Sequence, residues 1–497
     1  MGPQSGYPLD AHTLNAPHLQ PDQPLLEAGS TCWRKVKAGR FALLADGACY
    51  LPAMRAAIEN ARQSVLLLGW DFDPRVPLDP GTGHGDHVSR LCDIIGRQVF
   101  RRPDLRVNVL IWDMTFAYAL QRRDRPQHGA RWLPASVQYR LDARHPVGAS
   151  HHQKVLVVDD AVAFCGGSDF TRNRWDTPEH LSNDTRRRML DGRIYGPRHE
   201  VMAAVDGEAA AALADVVRDR WRRACGVSLP AVVADADPWP QDLAPDITDA
   251  FVGISRTMPP CRGEAEVREV EALNLRAIGL ARHWIYLENQ YITSPSIRDA
   301  LARRLVEPDG PEIVIVCPLH SGGRADRLAM DRPRSLLFGH LRSLDSHHRF
   351  RAYAPVTTTG EAINVHSKVM VADDRLFRVG SANLNNRSLG LDSECDISVE
   401  ADGAGTRAAP GILRLLCRLV SEHVGCETWL MEQEIRRSGS LLAGIDALAR
   451  PHGRRLQALE ASPPSLIDRF VAHTHLLDPT GVADNWRPWR RAGWPTK

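Results

Sequence analysis

Among its charged residues this chain is poorest in lysine. Of 62 basic residues only Lys35, Lys37, Lys154, Lys368 and Lys497 are lysine, and the other 57 are arginine. A lysine kept in a suggestive setting is therefore informative, because a compact ammonium and a planar guanidinium do different chemistry. An excess of one charge is also missing: 60 acidic residues leave a net charge of +2, which argues against tight polyanion binding, so no nucleic acid partner is expected. Long hydrophobic runs are absent too. Ser64 to Gly69 and Glu312 to Leu319 are the most apolar stretches, far short of the roughly eighteen residues that cross a bilayer, and they read as buried strands. Met1 to Gln23 is polar and proline-rich, without the basic start and apolar core of a secretory signal. The ten cysteines include no C-x-x-C pair, and Cys317 and Cys417 lie in apolar segments, where a free thiol behaves as a small hydrophobe. These absences point to a reducing, cytoplasmic setting, with contact to a membrane only at its surface.

What is present is a long duplication. Ala57 to Leu67 matches Ala277 to Leu287, in each case the end of an amphipathic helix running into an apolar strand. Arg106-VNVLIWD pairs with Glu312-IVIVCPL as a second buried strand. His151 to Phe170 then pairs with Val365 to Leu384 without a gap. After this third match each half continues with a strand, Glu200-VMAAV or Glu394-CDISVE, and then a helix, expected over Glu208 to Ala224 and Gly411 to His423. Strands alternating with helices predict an α/β fold. The expected organisation is an extension over residues 1–50, a first half over 51–235, a second half over 236–433 and a basic tail over 434–497. The seam falls in the proline-rich stretch around Pro230 to Ala244. The tail, with Trp486, Trp489 and Trp494, is expected to pack on the second half.

Two of the five lysines occupy equivalent places: His152-x-Lys154-x4-Asp159 in the first half and His366-x-Lys368-x4-Asp373 in the second. One such pattern arises by chance in about 1.5% of chains of this length and composition; two in register do not. Residues two apart on a strand share a face, so each histidine points with its lysine. A pseudo-twofold axis between the halves would gather both pairs in one cleft. That cleft would hold two imidazoles, two ammonium groups and no thiol or hydroxyl nucleophile, which suits a phosphodiester. Lys154 and Lys368, with the Asn383 amide and the Ser381 hydroxyl, would neutralise the non-bridging oxygens. One histidine would attack phosphorus while the other protonates the leaving alcohol. The resulting phosphohistidine would be opened by water or by another alcohol, and neither metal nor other cofactor is called for. His151, His180 and His199 share no zinc-type spacing; His180 or His199 is expected to line the cleft. Glu200 and Glu394, at matching places in the repeat, are the natural acceptors for the second ring nitrogens. Asp159 and Asp373 complete the motif, at a turn where structural hydrogen bonding competes with direct chemistry. Trp70 and Trp112, ending apolar strands, read as core before substrate platform, and Arg186 to Arg188 as a solvated face that could meet anionic headgroups.

These residues resemble the two signature motifs of the phospholipase D superfamily, and the resemblance runs from Ala57 to Val399. Gly166-GSD, Arg174-WDTPEH and Pro197-RHEVMAAVDG resemble segments that follow the first motif in lipid-acting members; Ile285-YLENQYI and Gly380-SANLNNRSLGLDSE resemble their second-half counterparts. The resemblance implies a monomer of two α/β/α sandwich halves related by a pseudo-twofold axis, with one active site at the seam, His152 as nucleophile and His366 as general acid. It implies cleavage of the headgroup phosphodiester of a glycerophospholipid at a membrane surface, giving phosphatidic acid or an exchanged phospholipid. Two departures stand out. The first half has Asp169 where the second has Asn383, and Glu200 stands where a shorter Asp is frequent, which bears on how His152 is oriented. The alternatives are a cardiolipin synthase, a nuclease-type phosphodiesterase and a non-catalytic scaffold for anionic lipid. The scaffold is disfavoured because all four His and Lys residues are present.

Overall fold

The computed structural model describes residues 23–80, 89–114, 126–323, 326–401, 408–460, 475 and 478–482. Trp486, Trp489, Trp494 and Lys497 lie outside the described residues. The first half runs β1 (Arg34–Ala45), α1 (Gly47–Asn60), β2 (Ser64–Gly69), α2 (Leu91–Arg101), β3 (Arg106–Trp112), β4 (Gln138–Asp142), β5 (Val155–Val158), β6 (Val162–Gly166), β7 (Arg198–His199), β8 (Val201–Asp206) and α3 (Gly207–Cys225). The second runs β9 (Ile247–Met258), β10 (Val267–Arg268), α4 (Glu269–Leu280), β11 (Trp284–Asn289), α5 (Pro295–Val306), β12 (Glu312–Val316), α6 (Arg332–Leu344), β13 (Phe350–Val356), β14 (Asn364–Val365), β15 (Lys368–Ala372), β16 (Leu376–Gly380), β17 (Glu394–Glu400) and α7 (Ala408–Val424). Then come α8 (Thr428–Ser438), α9 (Leu441–Leu448) and β18 (Arg455–Ala458).

Among the described residues, sixteen strands form one sheet in the order β18-β13-β12-β11-β15-β16-β17-β9-β1-β8-β6-β5-β2-β3-β4, with β10 beside β9. Read outward from the central β1–β9 pair, the halves carry the same order: β8, β6, β5, β2, β3, β4 on one side and β17, β16, β15, β11, β12, β13 on the other. Because β1 and β9 are antiparallel, with Val36 opposite Val252, the halves face each other about a pseudo-twofold axis through that pair. The α/β architecture expected from the duplication is thus present. β1 corrects one expectation, since part of the supposed extension of residues 1–50 is a central strand.

Strand composition explains the layering. Every residue of β2 is buried, and β2, β3 and β4 run parallel, as strands covered on both faces must when helices carry the crossovers. β11, β12 and β13 repeat this. Helices α1 and α2 close one outer core and α4, α5 and α6 another. The remaining faces of both halves share a central core with α3, α7, α8 and α9. Of the tail, β18 extends the second half by pairing with β13, and the Asp478 carboxylate accepts the Thr293 hydroxyl at 2.7 Å and the Arg387 N–H at 3.0 Å.

Candidate active site

The two motifs meet where the chain crosses from one half to the other. His152 N–H donates to Ser393 O at 2.9 Å, and His366 N–H donates to His199 O at 2.8 Å. β7 and β14 pair in parallel, and His151 bridges Ser393 in the same sense. Each motif histidine is therefore anchored, backbone to backbone, on the residue that precedes the other half's glutamate.

The side chains follow this crossing. His152 Nδ1 lies 2.9 Å from Glu394 Oε2, and His366 Nδ1 lies 2.5 Å from Glu200 Oε1. Glu200 does not hold the histidine of its own half, and Glu394 does not either. Each pair needs both halves, so neither half contains a complete site. With Nδ1 taken up, Nε2 of each ring is the reactive nitrogen. The imidazoles keep a little exposure, 18% of the His152 side chain and 10% of His366, while the glutamates behind them have 0% and 1%.

The lysines precede or open the regular strands. Lys154 Nζ donates to His152 O at 2.9 Å and lies 3.2 Å from Asp169 Oδ2. Lys368 Nζ donates to His366 O at 2.7 Å and to Gln290 Oε1 at 3.0 Å. Trp70, next to β2 as Gln290 is next to β11, sits 6.0 Å from Lys154 Nζ and 6.2 Å from the His152 ring. It stacks on Trp112 at 5.6 Å; Trp112 is core, whereas Trp70 borders the site. Gly167 permits the close approach: a Cβ there would stand 3.1 Å from His366 O and 3.4 Å from Lys368 Cδ.

The electrostatics are unequal. Burial, reinforced by Lys154 and Lys368, pushes His152 well below its ordinary pKa. Burial, Lys368 and Arg198 do the same to His366, with Glu200 opposing them. Burial alone would raise Glu200, but Arg198 (3.1 Å), His366 and Arg174 (4.0 Å) hold it well below the usual carboxylate range. Glu394 has no arginine ion pair among the described residues; burial raises it to about 8, only partly offset by Ser381 and Lys154. His366 thus faces a fixed anion and His152 a carboxyl that stays largely protonated near neutrality. Burial also pushes Lys368 well below its ordinary value.

Several expected roles are corrected. The Asp159 carboxylate accepts backbone N–H groups of Arg62, Gln63 and Ser64 at 2.7–2.8 Å; Asp373 accepts those of Arg282, His283 and Trp284 at 2.8–3.0 Å. Both cap the turn into β2 or β11 and both have positive φ, which Asp tolerates better than most residues. They belong to the frame and not to the reacting centre. Ser381 Oγ donates to Glu394 Oε2 at 2.5 Å, so it supports the glutamate and is not free for phosphate. Asn383 is buried, and its Oδ1 has no hydrogen-bond partner among the described residues. His180 and His199 do not line the cleft; both are fully buried behind Glu200. Arg187 is buried against Asp176 at 3.0 Å, whereas Arg186, although bound to Asp184, and Arg188 are exposed, so two of the three residues of that run fit the solvated-face reading. Sequence reasoning missed Arg174, Arg198 and Gln290, and it singled out Asp169 as the counterpart of Asn383 without its contact to Lys154. For Gln290 and Trp70 a signal existed, since they occupy equivalent positions in the repeat.

Fold and site together define a duplicated α/β protein whose two halves each lend a histidine, a lysine and a glutamate to one shared centre. The family model described as "Phospholipase D" matches residues 135–238, and that described as "Cardiolipin synthase, PLD-like domain" matches residues 275–408. Phospholipase D A of Dictyostelium discoideum is 26% identical over 76% of the chain, and Phospholipase D1 of Schizosaccharomyces pombe is 24% identical over 76%. The chain spans 35% of the length of each. Both halves are thus similar to models of the phospholipase D superfamily. The phosphatidylserine synthase of Haemophilus influenzae Rd KW20 shares the fold, with a TM-score of 0.53, 11% identity, and coverage of 78% of this chain and 88% of that one.

Proposed function

We propose that the chain is a phospholipase D-type phosphodiesterase and phosphatidyltransferase that cleaves the headgroup phosphodiester of glycerophospholipids. The observation that carries this is the crossed pair of His–Glu dyads with both lysines beside them. His152 Nε2 attacks phosphorus, forming an N–P bond while the P–O bond to the headgroup alcohol breaks; His366 Nε2–H supplies the proton to the departing oxygen. His366 then takes a proton from water or an alcohol, whose oxygen attacks the phosphohistidine and releases His152. Lys154, Lys368 and the Asn383 amide balance charge on the non-bridging oxygens. The glutamates support this assignment of roles: the ionised Glu200 opposes the burial and cations that lower His366 and so favours its imidazolium, as a general acid requires, whereas the largely protonated Glu394 gives His152 no such anion and favours the neutral, nucleophilic ring.

A hollow lined by Arg172, Arg174, Trp175, Arg188 and Leu190 shares Arg174 with the Glu200 environment, and Leu181, Leu190 and Ile194 are exposed along the same segment. Cationic and apolar groups together suit a phospholipid at a membrane surface, and no described helix is long and apolar enough to cross a membrane. The second reading, a cardiolipin synthase that joins two phosphatidyl units by the same chemistry, rests on the family model matched by residues 275–408. We propose that the chain acts as a monomer, since both halves of the site are in one chain, and that the halves divide at residues 235/236. The test offers phosphatidylcholine and other headgroups with ethanol, beside a parallel nuclease assay. Phosphatidylethanol is expected; DNA cleavage without any lipid product would overturn the lipid reading, and cardiolipin from phosphatidylglycerol alone would select the second.

A further inference from the structure

Behind Glu200 lies a second cluster that the phosphodiester chemistry does not use. Asp46, His180, His199 and Glu422 come from four separate segments, the end of β1, the loop before β7, β7 itself and α7, and all are buried. His180 Nε2 is 3.6 Å from Asp46 Oδ2 and 3.2 Å from Glu422 Oε1; His199 Nδ1 is 3.4 Å from Asp46 Oδ1 and 2.5 Å from Glu422 Oε1. Donors bonded at about 2.0–2.1 Å to a tetrahedral ion stand about 3.3 Å apart, and three of these four separations lie within a few tenths of an ångström of that.

Two further observations point to a ligand. Among the described residues, Asp46 Oδ2 has no hydrogen-bond partner, and His199 Nδ1 stands 2.5 Å from Glu422 Oε1 without an aligned hydrogen bond; both atoms are fully buried. A buried carboxylate oxygen without a hydrogen bond, facing the same region as a ring nitrogen crowded between two carboxylates, is costly unless something occupies that region. The far nitrogens of the two histidines, by contrast, are each held by a carboxylate: His180 Nδ1 lies 3.0 Å from Asp176 Oδ2, and His199 Nε2 lies 2.8 Å from Glu288 Oε2. Asp176 is fixed in turn by Arg187, and Glu288 by Tyr286 and His423 at 2.7 and 3.1 Å. A carboxylate orienting the far nitrogen of each ligating histidine is what a metal centre needs to set tautomer and ring angle. The charge also balances: two neutral imidazoles and two carboxylates neutralise a divalent ion.

We propose that Asp46, His180, His199 and Glu422 bind one divalent cation of the zinc class, tetrahedrally and with no open position. Such a closed set is structural. It pins α7 of the second half to three segments of the first. Glu200 N–H donates to Asp46 Oδ1 at 3.0 Å, and Asp46 N–H donates to Glu200 O at 2.7 Å, so the ion also braces the glutamate that positions His366.

The test measures metal in untagged full-length protein from zinc-replete cells, dialysed against a weak chelator. About one equivalent per chain is expected. Metal-free protein should bind cobalt(II) with the visible absorption of a four-coordinate ion, and its melting temperature should rise on adding zinc. Asp46→Asn, which keeps shape, should weaken binding at least tenfold with unchanged circular dichroism; if it does not fold, His180→Gln is measured in its place. Protein that carries no metal and takes up neither ion, or a variant that binds as tightly as the parent, overturns the proposal.

Discussion

Replacing Glu200 by glutamine removes a charge while keeping a hydrogen-bond acceptor 2.5 Å from His366 Nδ1. Glu200 is held ionised by Arg198, His366 and Arg174 against its burial, so the substitution deletes a charge-assisted bond worth about 1.5–3 kcal/mol, or about 10- to 100-fold in rate at about 1.4 kcal/mol per tenfold. Without the anion the His366 pKa falls further. The general acid must be protonated, so the alkaline limb of the pH–rate profile moves to lower pH. Glu394→Gln should behave differently: a carboxyl with a pKa of about 8 is already largely neutral below that pH, and the amide imitates it, so losses at pH 6–7 should be only a few-fold. The assay compares a natural phospholipid with a phosphatidyl p-nitrophenyl ester, whose leaving group needs no proton. Glu200→Gln should slow the first strongly and spare the release of nitrophenolate from the second. Equal losses on both substrates, or the leaving-group pattern appearing in Glu394→Gln instead, would refute the crossed assignment.

Other consequences follow from the same geometry. Asp159→Asn and Asp373→Asn should each cost about 1–3 kcal/mol in urea unfolding while turnover per folded molecule is kept; a large loss of turnover at unchanged stability would return these residues to the reacting centre. Gly380→Ala drives a Cβ into Asp396 Oδ1 and places it 2.5 Å from Asp396 Cα, so backbone must shift; its melting temperature should fall by several degrees, about 3 kcal/mol or more, and an unchanged melting curve would contradict the packing. Glu394 is raised to about 8 in the folded chain against about 4.3 unfolded, so the unfolded state releases its proton first and this group's contribution to stability declines as pH rises from about 4.5 to 8. Relative to the parent, Glu394→Gln should therefore gain stability across that interval, by up to about 4 kcal/mol; parallel stability curves would show that the carboxyl is not perturbed.

The parts of this arrangement visible in the sequence were those written twice. The paired H-x-K motifs, the apolar strands β2, β3, β11 and β12 and the helices α3 and α7 could all be aligned between halves, and two lysines in an arginine-rich chain marked the centre. β1 could not be seen, because its RKVKAG start is charged and half-exposed and its role depends on a partner 200 residues away. Repetition itself concealed the crossing of the glutamates: each histidine has a formally equivalent glutamate in either half, and only the parallel backbone contacts His152–Ser393 and His366–His199 decide between them. Ser381 looked like a phosphate ligand because hydroxyls commonly serve as such, but burial turned it toward Glu394. The Asp46–His180–His199–Glu422 cluster has no local spacing to detect, since it assembles from four elements only when α7 closes against the first half.

In the proposed reaction His152, held by Glu394 across the seam, carries the phosphoryl group. Acid-free rapid quenching of the protein with a phospholipid, followed by proteolysis and mass spectrometry at alkaline pH, tests it directly. A phosphatidyl adduct is expected on the peptide containing His152, accumulating with the nitrophenyl ester in His366→Ala and absent in His152→Ala. An adduct on the peptide containing His366, or turnover with no histidine adduct at all, would contradict it.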